Sequence, residues 1–431
     1  MTEMQMVFLI LGIFLIFCFS TVPIGIAMGM TVLIYVLFIG NIDMSYIANS
    51  MFQAGDSFPL MAIPFFILAG VLMEGGGLSK RLVDFMDTFV GRFTGGLAIV
   101  TVLASLFFGA ISGSAPATVA AIGTIMVPSM IDKGYDKKFT LALVAASGCL
   151  GTIIPPSIPM VMYGVAANAS ISRMFMGGFL PGVVCGLALI VVAVIYSKKN
   201  GFVGNGIPFS IHRCWKEFKS AVWALLVPVI ILGGIYGGFF TPTEAAAVAV
   251  LYGFIAGAFI YKELTFKRIL EKFVDAATTT GSIMIIVCTG LTLARILTLE
   301  QAPAAIGEAL TSAADSRFMV LLIINIILLI TGCFMETISA ILILAPILYP
   351  VAAMYGVDII QFGVMMVVNL SIGFITPPLG VNLFVACGIG GVPFTDIVKK
   401  IIPFLIVLIV ALILITYVPN VVMFLPNLLS N

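Results

Sequence analysis

Apolar segments of bilayer length follow one another along almost the whole chain. A membrane-spanning helix needs about 20 predominantly apolar residues, and ten runs come close to or exceed that length. They lie near residues 4–20, 22–39, 58–75, 139–166, 180–196, 221–238, 242–261, 277–298, 359–390 and 401–420. Because lipid offers no water to unpaired backbone groups, a chain built of such segments must be largely helical.

The composition supports the same fold class. Hydrophobic residues make up 61% and charged residues 9% of the chain, whereas soluble domains carry about 25% charged residues. The sequence therefore predicts an all-α polytopic protein embedded in the lipid bilayer. The net charge of +1 gives no indication of a nucleic-acid partner, and none is expected.

Two further regions, 94–130 and 318–350, are long enough to enter the membrane and return as helical hairpins. Residues 41–57 and 78–92 carry apolar side chains at helical spacing, with charged residues elsewhere in 78–92. That pattern is typical of helices that lie along a membrane surface.

Two unusual motifs occur once in each half of the chain, in the same order. The motif at 112–118 matches 331–337 at a shift of 219, and the Gly/Pro-Pro motif at 151–156 matches 373–378 at a shift of 222. Interrupted hydrophobic segments in corresponding places of two halves indicate a secondary transporter with its binding site at the repeat interface.

The basic residues predict the orientation. If both termini are periplasmic, the cytoplasmic segments hold 17 of the 20 Lys and Arg residues, as the positive-inside rule requires. These segments are 78–92, 131–138, 197–219, 262–272 and 397–400. The hairpins then enter from opposite sides, so the repeats are inverted and the chain is built for alternating access.

The first hairpin tip has the residues of an ion site. Gly113 permits a tight turn, Ser114 is a good N-cap and Pro116 favours a first helical turn. The exposed helix start suits an anion, and the Ser112 hydroxyl with nearby carbonyls suits a small cation. We expect the second tip to repeat this arrangement through Thr331, Gly332 and Thr337. A serine-lined helix interface is the alternative.

The Pro-Pro pairs predict helix breaks at membrane depth. Proline removes a backbone donor and clashes with the preceding turn, so Pro155-Pro156 and Pro377-Pro378 leave carbonyls without partners. Bare carbonyls beside the hydroxyls of Thr152 and Thr376 suit Na⁺. Simple packing kinks are the alternative.

Three polar residues near the second tip and break have open roles. Glu336 is an acid at the depth of the tip, either an ion ligand or proton carrier, or a hydrogen-bond acceptor for backbone at a helix start. Asn369 and Asn382 flank the second break and could bind substrate or join helices. Thr241 and Glu244 have the spacing of a capping box, a structural role.

Enzymatic chemistry is not indicated. The chain has one histidine, and no phosphate-binding loop motif is present, so neither a His-based metal site nor ATP hydrolysis by this chain is expected. A serine intramembrane protease would need a basic partner at depth. The sequence predicts no enzyme.

At these motifs the chain resembles the DctM-type large membrane subunit of tripartite ATP-independent periplasmic (TRAP) transporters. The matching stretches are GAISGSAPATVAAIG from 109, GCLGTIIPPS from 148, YGGFFTPTEA from 236 and GFITPPLG from 373. The resemblance covers about residues 4–420. It implies an ion-transporter fold like that of the divalent-anion/Na⁺ symporters, with an elevator motion.

The resemblance also implies the function and the partners. It implies Na⁺-coupled uptake of an anionic organic acid across the bacterial inner membrane, with at least two Na⁺ ions. The acid would be a C4-dicarboxylate or a sialic-acid-type sugar acid, delivered by a periplasmic substrate-binding protein of the DctP type. A small four-helix membrane subunit of the DctQ type would be a separate chain. An autonomous Na⁺/anion symporter is the alternative.

The resemblance and the repeat assign residues to sites. One Na⁺ site would gather Ser112, Ala115, Gly332, Gly373, Thr376 and Leu379, several of them through carbonyls. A second would gather Gly113, Gly151, Thr152 and Pro156 with residues near Glu336 and Thr337. The substrate would lie near Ser114, Thr118 and Thr337, with Glu336 and Asn382 as further candidates.

The same comparison divides the chain into scaffold and transport parts. Residues 1–76 and 221–276 are the expected scaffold helices, and 77–196 and 277–400 each hold an arm, a hairpin and a broken helix. Residues 197–220 form a cytoplasmic linker, and 401–431 form a C-terminal helix.

Overall fold

The computed structural model describes residues 2–429 except residues 41, 203, 205, 209, 314 and 315. Every regular element in that part of the chain is a helix, which confirms the all-α fold. Nine helical segments there are long and apolar enough to cross a bilayer, and the bent pair Lys137–Ile153 and Ile158–Ala166 makes a tenth.

The first half of the chain forms eleven α-helices. They are α1 (Glu3–Phe19), α2 (Ile24–Ile34, continued by a π-helical turn Tyr35–Ile39), α3 (Ser45–Gly55), α4 (Ala62–Gly75, preceded by a 3₁₀ turn Phe58–Met61), α5 (Leu78–Val90), α6 (Gly96–Ser112), α7 (Ala115–Asp132), α8 (Lys137–Gly148), α9 (Leu150–Ile153), α10 (Ile158–Ala166) and α11 (Ile171–Lys199).

The described residues of the second half form ten α-helices. They are α12 (Ile211–Tyr236), α13 (Pro242–Ile255, continued by a π-helical turn Ala256–Ile260), α14 (Phe266–Leu299), α15 (Ala302–Ala313), α16 (Arg317–Phe334), α17 (Thr337–Met354), α18 (Ile359–Gly373), α19 (Val381–Gly390), α20 (Phe394–Tyr417) and α21 (Pro419–Leu429).

The two predicted hairpins are α6–α7 and α16–α17. In the first, Gly113 takes a left-handed conformation with φ of 60°, and only Gly113 and Ser114 separate the end of α6 from the start of α7. In the second, Met335 is extended, with φ of −117°, and separates α16 from the N-cap Glu336. Both predictions of a hairpin are therefore confirmed.

The N-caps of the helices show which residues of the two repeats correspond to each other. Asp136 caps α8 and Asp358 caps α18, each accepting a hydrogen bond from the N–H two residues later. Ser114 and Glu336 are the N-caps of the two returning hairpin helices. Both pairs lie 222 residues apart, the same shift as the Pro-Pro pairs.

The shift of 219 predicted for the tips is therefore wrong by three residues. Gly332 lies inside α16 and does not turn the chain, whereas Gly113 does. Gly-x₄-Thr occurs in both halves, but its two copies do not occupy equivalent places in the structure. The sequence match at a shift of 219 is therefore a coincidence of composition. The N-caps show that Ser114 corresponds to Glu336 and Ala115 to Thr337.

The predicted helix breaks separate α9 from α10 and α18 from α19. Each break contains a cis peptide, Pro155-Pro156 and Pro377-Pro378. The half-helix after each break packs on the hairpin of the other repeat, α10 on α17 and α19 on α7. The repeats are interlocked, so the two breaks and the two tips converge.

The remaining helices surround this centre. Helices α2, α3 and α4 pack against α14, α13 packs against α4, and α12 packs against α5. The predicted surface segments correspond to α3 and α5, and the Thr241–Glu244 capping box at the start of α13 is confirmed. The predicted boundary at residue 276 falls within α14, and the rest of the division stays a prediction.

Candidate binding cavity

A cavity of about 220 Å³ lies where both hairpin tips and the first helix break face α4 and α14. This is well above the roughly 10–15 Å³ that one water needs. Its polar lining includes five predicted site residues, Ser112, Ser114, Thr152, Glu336 and Thr337. Sequence reasoning missed two others in the lining, Glu74 on α4 and Thr279 on α14.

At the first tip the hydroxyls bond to one another and to the turn. The Ser112 Oγ lies 3.0 Å from Thr118 Oγ1, and the Thr118 hydroxyl donates to the Ser114 carbonyl at 2.8 Å. No side chain caps the start of α7. Pro116 has no N–H and Ala115 is fully buried, so the first free donor of α7 at the cavity is the N–H group of Ala117.

At the second tip a carboxylate occupies the helix start. Glu336 Oε2 accepts hydrogen bonds from the N–H groups of Ile338 at 2.9 Å and Ser339 at 3.2 Å. A negative charge there is favoured by the helix dipole. Of the two open roles for Glu336, the structure shows the hydrogen-bonded cap, and the prediction that this helix start is free for an anion is wrong.

The first tip packs directly on the first break through glycine. A Cβ on Gly151 would lie 2.3 Å from Thr118 Oγ1 and 2.5 Å from the Ser114 carbonyl oxygen. A Cβ on Gly113 would lie 3.0 Å from the Pro156 carbonyl oxygen. These contacts bring together the predicted residues of the first half, Ser112, Gly113, Ala115, Gly151, Thr152 and Pro156.

The second break packs on α16 in the same way. A Cβ on Gly373 would lie 2.5 Å from the Gly332 carbonyl oxygen. The Thr376 hydroxyl donates to the Ile372 carbonyl at 2.8 Å, and Leu379 is 44% exposed. The described contacts thus divide the predicted ligands by repeat, with Ser112 and Ala115 at the first tip and Gly332 and Gly373 at the second break.

The two breaks contact each other inside the protein. Thr152 Oγ1 lies 2.7 Å from Ser371 Oγ, and the Cys149 thiol donates to the Ser371 carbonyl at 3.0 Å. Both breaks therefore belong to one packed unit.

Two predicted substrate residues lie behind the cavity wall. Thr118 is fully buried and holds the tip together through the bonds described above. Asn382 is also fully buried, and its amide donates to the Ala145 carbonyl at 3.1 Å, joining α19 to α8. The structure therefore places Asn382 in an interhelical hydrogen bond, one of the two roles left open for it.

The charge of the cavity is one-sided. Among the described residues of its lining, Glu74 and Glu336 are acidic, and no Lys or Arg is present. The Lys272 ammonium lies 3.8 Å from Glu74 but outside the lining. A cavity with this lining attracts cations and repels a lone anion.

Comparisons with known proteins agree with the helical architecture. The family model described as "Tripartite ATP-independent periplasmic transporter, DctM component" matches residues 11–421. An isethionate TRAP transporter permease, DctMQ of Oleidesulfovibrio alaskensis, is 46% identical over 96% of this chain, which spans 65% of that protein. The C4-dicarboxylate large permease DctM of Vibrio cholerae is 42% identical over 95% of both chains.

A sialic acid relative and a solved structure complete the comparison. The sialic acid large permease SiaM of Vibrio cholerae is 37% identical over 95% of this chain and 96% of its own. The crystal structure of the YdaH transporter of Alcanivorax borkumensis superposes with a TM-score of 0.66 at 13% identity. It covers 94% of this chain and 96% of its own, which shows a shared fold.

Proposed function

Because this chain belongs to the DctM-component family of tripartite ATP-independent periplasmic transporters, we propose that it carries a small organic anion across the bacterial inner membrane together with Na⁺. The relatives are named for isethionate, C4-dicarboxylates and sialic acid. All three cargoes are anions, and we propose a carboxylate or sulfonate of this class as the substrate.

The one-sided charge of the cavity is the observation that carries the proposal. An anion that left water for this site would meet two acidic groups, of which only Glu74 has a cation nearby, the Lys272 ammonium outside the lining. Charges in low-dielectric surroundings are costly unless they are paired. Cations that bind with the anion remove this cost, so anion binding and cation binding are coupled by the site itself.

Two groups of oxygen atoms could hold these cations, one in each repeat. The first consists of the Ser112 and Thr152 hydroxyls with carbonyls of residues 113–115, 151 and 156. The second consists of the Thr376 hydroxyl with carbonyls of Gly332, Gly373 and Leu379. Hydroxyl and carbonyl oxygens at unwound helix segments are the ligands by which transporters hold Na⁺. We therefore propose one Na⁺ per repeat.

The anion itself fits the first tip better than the second. The start of α7 offers uncapped N–H groups beside the Ser114 hydroxyl, and helix N-termini bind anions. The start of α17 is already occupied by Glu336. We propose that the substrate carboxylate or sulfonate binds at Ser114 and Ala117, which line the cavity, with Thr337 on the opposite wall.

The predicted orientation indicates the side of the membrane toward which the cavity opens. The cavity reaches Glu74 in the last turn of α4, just before the basic segment 78–92. With periplasmic termini, the structure is therefore open toward the cytoplasm. We propose an elevator motion that alternates this state with a periplasm-facing one, and as partners a small membrane subunit and a periplasmic binding protein.

Uptake into proteoliposomes tests this function. The chain would be reconstituted with its small subunit, and the binding protein would be loaded with labelled succinate, isethionate or sialic acid. We expect uptake that needs both an inward Na⁺ gradient and the binding protein, and that falls at least tenfold in Ser112→Ala and Thr376→Ala. Uptake with Na⁺ alone would contradict the tripartite mechanism, and uptake driven equally by H⁺ would contradict Na⁺ coupling.

A further inference from the structure

A second opening lies at the other end of α14, between α3, α10 and α17. Its volume is about 670 Å³, and the described part of its lining contains one charged residue, Arg295. The other polar side chains there are Tyr46, Gln53, Ser57, Thr298 and Gln301. We call this opening the Arg295 groove. Its charge is opposite to that of the binding cavity, which holds two carboxylates.

One continuous helix forms a wall of both openings. Thr279 and Ile283 of α14 line the binding cavity, and Leu291, Arg295 and Thr298 line the groove. At 1.5 Å per residue, Ile283 and Arg295 are about 18 Å apart along the helix axis. The groove therefore lies further along the surface that the binding cavity already faces.

The opposite wall of the groove comes from elements that carry the binding site. Val165 and Ala166 belong to α10, which follows the first break, and Pro346 belongs to α17, which follows Glu336. A displacement of these elements along α14 changes which part of that helix faces the binding site. The groove therefore lies between α14 on one side and the helices α10 and α17, which carry the binding site, on the other.

Arg295 keeps most of its hydrogen-bonding capacity. Its Nη1 donates to the Ser50 carbonyl at 3.4 Å and to Gln53 Oε1 at 3.3 Å, both neutral acceptors. No ion pair of Arg295 occurs among the described residues, whereas Arg81 and Arg213 are paired with carboxylates at 2.7 and 2.8 Å. A guanidinium with spare donors in a groove of polar side chains suits bidentate recognition of a carboxylate or sulfonate.

We propose that the Arg295 groove is a second binding site for the transported organic anion, at the end of α14 opposite to the binding cavity. This inference rests on the proposed anion transport for the identity of the ligand. Arg295 attracts the anion and holds its acidic group, and the neutral polar residues complete the site. In the predicted orientation the groove is periplasmic, so it receives the anion before the anion reaches the hairpin tips.

Protection of a thiol in the groove tests the proposal. Thr298 is exposed in the groove, and Thr298→Cys would be labelled with a membrane-impermeant maleimide in spheroplasts that express the complete transporter. Labelling above that of the parent protein is followed against the concentration of succinate or isethionate. We expect both anions to protect the thiol, and Arg295→Gln to raise the half-protecting concentration at least tenfold.

Two controls separate local charge from general effects. Arg295→Lys keeps the positive charge but loses the planar guanidinium that binds a carboxylate or sulfonate bidentately. Its half-protecting concentration is therefore expected to lie between that with Arg295 and that of Arg295→Gln, since a rim charge still attracts the anion. Arg317→Gln removes a positive charge at the start of α16, outside the groove lining, and leaves protection unchanged. Raising the ionic strength weakens protection with Arg295 intact, which keeps the test independent of how Arg295→Gln folds.

The outcomes distinguish this inference from the proposed function. If neither succinate nor isethionate protects the thiol, or if the half-protecting concentration is the same in Arg295→Gln as with Arg295, the second site is overturned. Arg295-dependent protection without Na⁺-driven uptake supports the second site and contradicts the proposed function.

Discussion

The two hairpin tips have the same backbone plan and opposite chemistry. Each ends a helix of 17 or 18 residues and begins another of 18, and their N-caps Ser114 and Glu336 correspond in the repeat. Ser114 leaves the start of α7 uncapped, whereas Glu336 fills the start of α17 with a carboxylate. One tip can therefore receive an anion, whereas the start of the other helix is already occupied by an acidic side chain.

The helix breaks, in contrast, are alike. Each has a Pro-Pro pair and a glycine that touches the neighbouring helix backbone, Gly151 against the Ser114 carbonyl and Gly373 against Gly332. Both repeats therefore have the glycine that close helix packing requires and the Pro-Pro pair that leaves backbone carbonyls without partners. The two repeats differ at the hairpin tips, where the N-cap is the neutral Ser114 in one and the acidic Glu336 in the other. This pattern suits a transporter that binds a cation in each repeat and an anion in only one.

Alanine at the break glycines gives the largest expected effect. In Gly151→Ala and Gly373→Ala the new methyl group would lie within 2.5 Å of backbone or of a fixed hydroxyl. Overpacking of this kind costs about 1–3 kcal/mol and moves the tip or the break. We expect at least a tenfold loss of uptake and a lower melting temperature for both variants, measured on the reconstituted complex.

Gly388→Ala is the matched control for both. A Cβ on Gly388 has open space around it, and alanine favours a helix over glycine. Uptake and melting temperature are expected to stay near those of the unaltered protein. If only one of the two break variants loses uptake, the equivalence of the breaks is contradicted.

Removal of the Glu336 side chain gives the next effect. Glu336→Ala loses two hydrogen bonds at the start of α17, and loss of an N-cap costs about 0.5–2 kcal/mol. We expect a fall in the free energy of unfolding of that size and a weaker dependence of anion binding on Na⁺. Calorimetry and anion titrations at several Na⁺ concentrations measure both.

Glu336→Gln separates the cap from the charge. Its amide oxygen can still accept a backbone hydrogen bond, so stability falls less than in Glu336→Ala, while the Na⁺ dependence weakens equally. If the Na⁺ dependence is unchanged in both variants, the carboxylate plays no part in charge balance.

Ser114→Ala gives a smaller effect confined to the substrate. The Ser114 hydroxyl makes no capping bond, so the free energy of unfolding should change by less than about 0.5 kcal/mol. Loss of a hydrogen bond to the anion, worth about 0.5–1.5 kcal/mol, weakens its binding about two- to twelvefold. An unchanged dissociation constant for succinate or isethionate would argue against the first tip as the anion site.

The smallest effect concerns the equivalent caps Asp136 and Asp358. Burial alone would raise the pKa of the Asp136 carboxyl, but hydrogen bonds from Lys400 and from backbone N–H groups hold this pKa below its usual range. A lowered folded-state pKa stabilises the fold above the unfolded pKa, about 3.9 for Asp, and this stability disappears as the pH falls through the folded value.

Thermal melts between pH 5 and pH 3 are expected to show this loss. Asp136→Asn removes it but keeps a capping side chain, and the effect stays below about 1 kcal/mol because the pair is half-exposed. Asp358, which has no ion pair among the described residues, provides the control Asp358→Asn. Identical pH profiles for Asp136→Asn and the unaltered protein would contradict the role of the Lys400 pair.

Much of the fold could be predicted from the sequence because lipid restricts the chain to helices. The lengths of the apolar segments predict the spanning helices. Pro155-Pro156 and Pro377-Pro378 predict the helix breaks, because proline lacks the backbone N–H that a helix needs. Gly113 located the first tip, since its positive φ is rare for other residues.

The register of the repeat could not be read in the same way. Gly332 resembles Gly113 in sequence but serves close helix packing, and the caps show that the shift of 222 between the Pro-Pro pairs also holds at the tips. The cavity residues Glu74 and Thr279 lie on helices outside both repeat motifs, so no local pattern indicates them. The grouping of Ser112 and Ala115 with the first break depends on contacts between distant segments.

A cryo-EM structure of the complete transporter with saturating Na⁺ and succinate or isethionate would show directly whether the anion binds at the first hairpin tip. We expect the acidic group of the anion on the N–H group of Ala117, beside Ser114, with Glu336 still bound to the N–H groups of Ile338 and Ser339. An anion seated on the start of α17, with Glu336 displaced, would contradict the proposed anion site.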